Sequence, residues 1–262
     1  MDLGLKARTA VVMGASQGLG EATARALAAE GAHVVLVARR ADALQEVKAS
    51  IEAAGGSAET HCCDLFDADS RQDLCKKIND LSSIDVLVAN SGGPAPGMAP
   101  GIESSVWSRE FDAMVLGLIE VIDTAVARMK AAGFGRIIVI GSSGIVVPIP
   151  KLAVSNTLRS AVGAYVKTLS EQVASFGVTC NMVLPGRVET LRTRAIDQAT
   201  AKALGVTEED ARRQSIATIP AGRYGQPDEF ASVVTFLASQ QAAYVTGSQI
   251  RVDGGAIRSI NA

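Results

Sequence analysis

Met13-Gly14-Ala15-Ser16-Gln17-Gly18-Leu19-Gly20 ends one short apolar run and opens a helical stretch, and its three glycines decide how the chain is read. Glycine lets a backbone turn tightly and approach a pyrophosphate. The helix that follows offers free N–H groups and the positive end of its dipole to the anion. The spacing is Gly-x-x-x-Gly-x-Gly, not Gly-x-Gly-x-x-Gly. Three glycines alone are weak evidence, but between a strand and a helix they read as a phosphate cradle. Its residues are Gly14, Ser16, Gln17, Gly18, Leu19 and Gly20.

Outward from this turn the chain alternates. Strand-like runs, most of them rich in valine and isoleucine, fall at 9–13, 33–38, 58–62, 86–89, 136–140, 178–184 and 249–252, and helical stretches at 21–29, 41–54, 69–81, 103–131, 152–176 and 228–238. Continuous apolar runs suit strands buried on both faces, as in a parallel sheet between helix layers. The expected fold is therefore α/β: a doubly wound parallel sheet of about seven strands with helices on both faces, a Rossmann fold, with residues 1–262 as a single dinucleotide-binding domain. Ligands of such sheets bind at the carboxyl ends of the strands. Two stretches, 91–101 and 186–207, read as long loops at those ends and as candidate substrate loops.

The second run ends in Arg39-Arg40 with no acidic residue at that point, Asp42 coming later. An acid there would bind the ribose hydroxyls of NAD, whereas an arginine accommodates a 2′-phosphate. The pair therefore favours NADP(H) over NAD(H). The net charge of −2, with no basic stripe or tail, argues against nucleic acid or a membrane surface as partner. The first residues lack the features of a signal peptide, and no run reaches the ~20 apolar residues of a spanning helix. Four cysteines without metal spacing read as reduced thiols of a cytoplasmic protein, and two histidines, His33 and His61, leave no His-rich metal site.

With these residues the chain resembles the short-chain dehydrogenase/reductase family, and within it the 3-oxoacyl-carrier-protein-reductase-like branch. The turn from Gly14 to Gly20 looks like the family's coenzyme motif, with Met13 where threonine is usual. Asp64-Leu65 matches the pair that contacts adenine, and Asn90-Ser91-Gly92-Gly93 resembles its Asn-Asn-Ala-Gly motif. The segment from Asn181 through Pro185, Gly186 and Val188 matches the stretch after the sixth strand. Thr190 falls where the family contacts the nicotinamide carboxamide. The stretches Ile219 to Pro227 and Val252-Asp253-Gly254-Gly255 extend the likeness nearly to the end of the chain.

The catalytic positions depart from that pattern. The family carries a serine, a tyrosine and, four residues on, a lysine. Here the serine is Ser142 by spacing or Ser143 by its place in the motif. The tyrosine position falls on Ser155 and the lysine position on Arg159, while an asparagine of the preceding helix is replaced by Met114. Tyr165 and Lys167 lie too far along to replace the pair. A serine hydroxyl is a far weaker acid than a phenol, and arginine stays charged at neutral pH. Arg159 still has the charge and donors to hold a ribose and polarise a substrate oxygen, so Ser142, Ser143, Ser155 and Arg159 are the candidate catalytic residues.

Two readings follow. One is an NADP(H)-dependent oxidoreductase moving hydride to or from a small carbonyl or alcohol substrate, with water, Lys151 or Tyr224 supplying the proton. The other is a catalytically impaired nucleotide-binding pseudoenzyme, a sensor or scaffold; a lyase or isomerase use of the site takes a smaller share. The resemblance also implies a homo-tetramer or dimer formed through the helices at 103–131 and 152–176, the second carrying the small residues Ala153, Ala161, Gly163 and Ala164.

Overall fold

The computed structural model describes residues 2–260. Seven strands form one parallel sheet: β1 (Thr9–Met13), β2 (His33–Ala38), β3 (Ser57–Cys62), β4 (Val86–Ala89), β5 (Gly135–Ile140), β6 (Val178–Pro185) and β7 (Gln249–Val252). Their order is β3-β2-β1-β4-β5-β6-β7. The order reverses between β1 and β4, and a crevice opens there at the carboxyl edge. Pairing is in register, with Val11 opposite Val35 and Leu87, and Val88 opposite Ile138.

Alternate residues of each strand feed opposite cores. Val11 and Met13 face a cluster with Leu87, Ile137, Leu118, Ile122 and Val162. Ala10 and Val12 face the other layer, with Leu27, Leu44, Phe230 and Val234. Helices α1 (Gly18–Ala29), α2 (Ala41–Ala53) and α9 (Pro227–Ala238) cover this second face; α3 (Ala68–Asp80), α5 (Gly117–Ala132) and α6 (Ala153–Val173) cover the first. Burying each large aliphatic side chain is worth roughly 1.5–3 kcal/mol, which is why the strands in the middle of the sheet are predominantly apolar. The edge strands differ: Glu59 and Thr60 of β3 and all four residues of β7 are only half-buried.

The stretch expected as one helix at 103–131 is divided. It runs as α4 (Ser104–Phe111), a π-helical turn over Asp112–Leu116, and then α5. The cause is a buried cation. Arg71 of α3 inserts beside the turn, donating from Nη1 to Asp112 Oδ2 at 3.0 Å and from Nε to Glu120 Oε2 at 3.0 Å. Its Cδ comes so near Gly117 that a Cβ there would stand 2.7 Å away. The extra residue of the π turn places Ala113, Met114 and Val115 inside.

The stretch 186–207 is not a long loop. It holds α7 (Leu191–Leu204), and α8 (Glu208–Ile216) follows directly. Thr190 caps α7, its Oγ1 accepting from Thr193 N at 3.3 Å. The side that α7 buries is Thr193, Asp197 and Ala201, polar and small, so the usual apolar periodicity of a helix is missing there. The stretch 91–101 is irregular as expected. Gly97 ties it to the entry of α6, accepting from Ala153 N, the first residue of that helix, at 3.3 Å and donating to the Lys151 carbonyl just before it at 2.7 Å.

Candidate active site

The glycine turn is built as its sequence demands. Gly14 has a φ of 69°, a left-handed conformation that L side chains avoid. Gly20 packs so closely on the Gly14 carbonyl that no Cβ would fit. Ala15 N donates to Val37 O at 3.1 Å and fastens the turn to β2. Gln17 precedes α1 in extended conformation and makes no side-chain cap, so the first N–H groups of α1 remain for an anion. Ser16 is half-buried beside them.

Two residues from other strands close on this turn. The Asn90 amide lies against Gly14, and the Thr190 methyl group would stand 3.4 Å from a Cβ on Gly18. Arg40 Nη2 donates to Gln17 Oε1 at 2.7 Å, which ties the end of β2 to the turn. Arg39, exposed at the same strand end, has no hydrogen bond or ion pair with any described residue. Asp64 caps the loop after β3 by accepting from Phe66 N at 3.1 Å, and the Leu65 carbonyl accepts from Arg71. Pro185 ends β6. A Cβ on Gly186 would stand 2.6 Å from Asp253 Cα, and Val188 is buried and bridged to Gly225. This groove fits a dinucleotide: a cradle that added Cβ atoms would fill, an uncapped helix start, and a free guanidinium at the strand end that would meet a 2′-phosphate.

The candidates Ser142 and Ser143 follow the end of β5, and Ser155 and Arg159 lie on α6, from which Arg159 reaches that strand end. Arg159 of α6 donates from Nη1 to the Ile140 carbonyl at 3.2 Å, and from Nη2 to those of Ser91 and Gly92, each at 3.3 Å. It pins the loop after β4 to the end of β5. Burial, with the Arg192 charge adding to it, lowers the Arg159 guanidinium to about 10, so the group stays charged at neutral pH. Ser155 lies one helical turn before Arg159 on the same face; it is buried, and its hydroxyl has no bond to any described residue. Ser142 caps a short 3-10 turn, its Oγ accepting from Gly144 N at 3.1 Å. The Ser143 side chain has no partner among the described residues. Asn156 fastens this turn to α6, packing on Gly144 and exchanging bonds with Ile149. Met114, Ser91 and Arg159 line one small cleft of about 10 Å³.

Of the two alternative proton donors, Tyr224 is committed elsewhere. Tyr224 is buried and its hydroxyl donates to Asp197, 3.0 and 3.1 Å from the two carboxylate oxygens. Burial first, then the Asp197 contact, raises its pKa. Lys151 is an exposed turn residue with φ of 62° and not the start of α6. Tyr165 bonds Asp123 of α5 and Lys167 pairs with Glu171, well along α6. The sequence reading missed Arg192, which lies in the stretch taken for a loop. Its signal was the Thr190 cap followed by Thr193, Asp197 and Ala201 at spacings of four.

A seven-stranded parallel sheet whose first turn is a glycine cradle, with polar side chains gathered across the crevice, defines a Rossmann-type dinucleotide-binding protein. Residues 14–256 match the family model described as enoyl-(acyl carrier protein) reductase. The NADPH-dependent reductase BacG of Bacillus subtilis is 32% identical over 256 residues, 97% of this chain and 99% of its own. The 3-oxoacyl-[acyl-carrier-protein] reductase FabG of Escherichia coli is 30% identical over 256 residues, covering 97% of this chain and 98% of that one. The crystal structure of L-sorbose reductase from Gluconobacter frateurii, complexed with NADPH and L-sorbose, superposes with a TM-score of 0.93 at 27% identity, over 99% of this chain and all of the other. The chain belongs to the short-chain dehydrogenase/reductase family. Among the described residues no helix is long and apolar enough to cross a membrane.

Proposed function

We propose that the protein is an NADP(H)-dependent oxidoreductase that transfers hydride to or from a small carbonyl or alcohol substrate, with Ser142, Ser155 and Arg159 around the reacting oxygen. The observation that carries this reading is the bracing of one groove from three sides: Asn90 on Gly14, Thr190 on Gly18, and Arg159 on Ser91 and Gly92. Arg39, free and exposed, is the reader of the 2′-phosphate. The NADPH named for BacG and bound in the sorbose reductase structure supports the same cofactor.

Bound NADPH would supply the hydride and bound NADP+ would accept one. The chain's own residues do the rest. Arg159 holds a fixed positive charge where negative charge develops on the substrate oxygen, without reorganising. The free Ser155 hydroxyl donates a hydrogen bond to that oxygen, and Ser142 keeps the turn after β5 in shape beside it. Among the described residues no tyrosine or histidine stands here, so the oxygen takes its proton from water through the serine hydroxyl. General acid catalysis is worth about 10²–10⁴-fold, so this site works more slowly than one with a positioned phenol.

A second reading, a nucleotide-binding protein without turnover, draws on one observation: Arg159 already serves three carbonyls and has a structural reason to be there. Assay of NADPH oxidation with a panel of ketones and aldehydes separates the two. Turnover that drops at least tenfold in Ser155→Ala, with NADPH binding retained, supports the oxidoreductase. NADPH binding with no turnover across the panel supports the second. We also propose that the chain assembles as a dimer or tetramer through α4–α5 and α6; Phe111 and Leu116 stand exposed on a single chain, and a monomer in sedimentation at micromolar concentration would refute it.

A further inference from the structure

Arg192 stands in the first turn of α7 and its guanidinium lies against the loop after β4. A Cβ on Gly93 would be 2.5 Å from Arg192 Nη2 and 2.8 Å from Nη1. Arg159 reaches the adjacent residue, donating from Nη2 to the Gly92 carbonyl at 3.3 Å. Two guanidinium groups, one from α6 and one from α7, therefore converge on two consecutive residues at the mouth of the crevice. Close enough to act on each other, they share no carboxylate. Arg192 has no hydrogen bond or ion pair with any described residue.

The acids of the neighbourhood are committed elsewhere. Glu189 accepts from Arg212 at 2.5 and 3.0 Å and lies 3.6 Å from Arg194. Asp197 is held by Tyr224. On the same loop, the Ser91 hydroxyl is buried without a partner. Paired like charges with no counter-ion beside an unsatisfied donor describe a place prepared for an anion. An arginine fork matches the geometry of a carboxylate, binding it through two parallel bonds.

We propose that Arg192, beside Arg159 over Gly92 and Gly93, selects a carbonyl substrate that carries a carboxylate, which makes the substrate class an oxo acid or the corresponding hydroxy acid. This rests on the oxidoreductase reading and narrows it. Arg159 faces the oxygen that reacts, and Arg192, against Gly93, takes the carboxylate. Hydride transfer places hydride on the carbonyl carbon and a proton on its oxygen; the carboxylate is unchanged and serves only to orient the molecule. The same guanidinium chemistry would also suit a phosphate of the cofactor, and the test separates the two sources.

The experiment is calorimetric titration of the NADP+-loaded protein with phenylpyruvate, levulinate and benzoylformate, each against its methyl ester, for the wild type, Arg192→Gln and Arg192→Lys. NADPH oxidation with the same compounds and NADPH affinity are measured alongside. The expected result is that at least one acid binds ten times more tightly than its ester, that Arg192→Gln abolishes the preference, and that Arg192→Lys restores part of it. NADPH affinity should stay within threefold. If no acid outbinds its ester, or if the preference survives Arg192→Gln, the proposal is overturned. If Arg192→Gln weakens NADPH tenfold, Arg192 belongs to the cofactor's phosphates and the proposal also falls. Preferential acid binding without any turnover would uphold the anion site and overturn the oxidoreductase reading; turnover of the esters as fast as the acids would do the reverse.

Discussion

Arg159 Nη2 donates to the carbonyl oxygen of Gly92 at 3.3 Å. That bond joins the middle of a helix to the loop where the sheet order reverses, and its neighbours to Ser91 and Ile140 complete a three-carbonyl pin. One side chain thus shapes the floor of the crevice and supplies its charge. Hydrogen bonds from charged groups contribute roughly 1.5–3 kcal/mol. Arg159→Ala is expected to lower stability by about 2 kcal/mol in urea unfolding and to reduce turnover at least tenfold. Arg159→Lys, whose single ammonium cannot span three carbonyls, should recover turnover better than stability. An alanine variant as stable as the wild type would show that the pin bears no load.

At the other end of the groove Arg39 and Arg40 divide their work. Arg40 is spent on Gln17 at 2.7 Å, and Arg39 is free. Arg39→Ala should weaken NADPH at least tenfold while NADH changes less than threefold, by calorimetry. Arg40→Ala should weaken both cofactors alike and mildly, since it steadies the phosphate turn and not the 2′-phosphate. Equal loss of both cofactors in the Arg39 variant would remove it as the discriminating residue.

The strands were legible because a buried parallel sheet leaves no freedom in composition: Val11, Val35, Leu87 and Ile138 sit in its middle and had to be apolar. The glycine turn was legible for the same reason, since only glycine tolerates the approach of Gly20 to the Gly14 carbonyl. Helix α7 was hidden because the face it buries, Thr193, Asp197 and Ala201, is polar and small, and Asp197 takes its partner, Tyr224, from 27 residues away. The π turn was hidden because its cause, Arg71, lies 41 residues away from Asp112 in sequence. Ser155 and Arg159 are proposed from their positions in a familiar pattern, and the three carbonyls that Arg159 holds, at the end of β5 and in the loop after β4, come together only once the sheet is assembled.

Tyr224 carries a prediction of its own. Its hydroxyl meets both Asp197 oxygens in the interior, and the Arg212 guanidinium lies 4.5 Å from its ring centre while Glu189 holds that arginine. Tyr224→Phe leaves a buried carboxylate short of a donor, which costs roughly 1–3 kcal/mol. The melting temperature should fall while the pH dependence of turnover keeps its shape. A shifted pH profile would instead return Tyr224 to the role of proton donor.

The buried thiols set the alkaline limit. Burial pushes Cys63 from its ordinary 9.0 up to about 11, with a hydrogen bond from the Ser70 side chain opposing it, and burial alone pushes Cys180 up to about 12. Both folded-state values lie above the unfolded one, so below pH 9 both states hold the protons and this contribution to stability is complete. Above pH 9 the unfolded chain releases them first, and stability falls until the pH passes the folded values near 11 and 12. Each thiol contributes up to about 1.4 kcal/mol per pH unit in that window. Tyr165 and Tyr224, also raised by burial and by their aspartate partners, add to the loss at higher pH. Urea unfolding followed from about pH 8 to 10.5 should therefore give a steeper decline for the wild type than for Cys63→Ala/Cys180→Ala, although the variant starts from lower stability. Parallel declines would mean that both thiols ionise as readily in the folded chain as in the unfolded one, against their burial beneath α3 and α6.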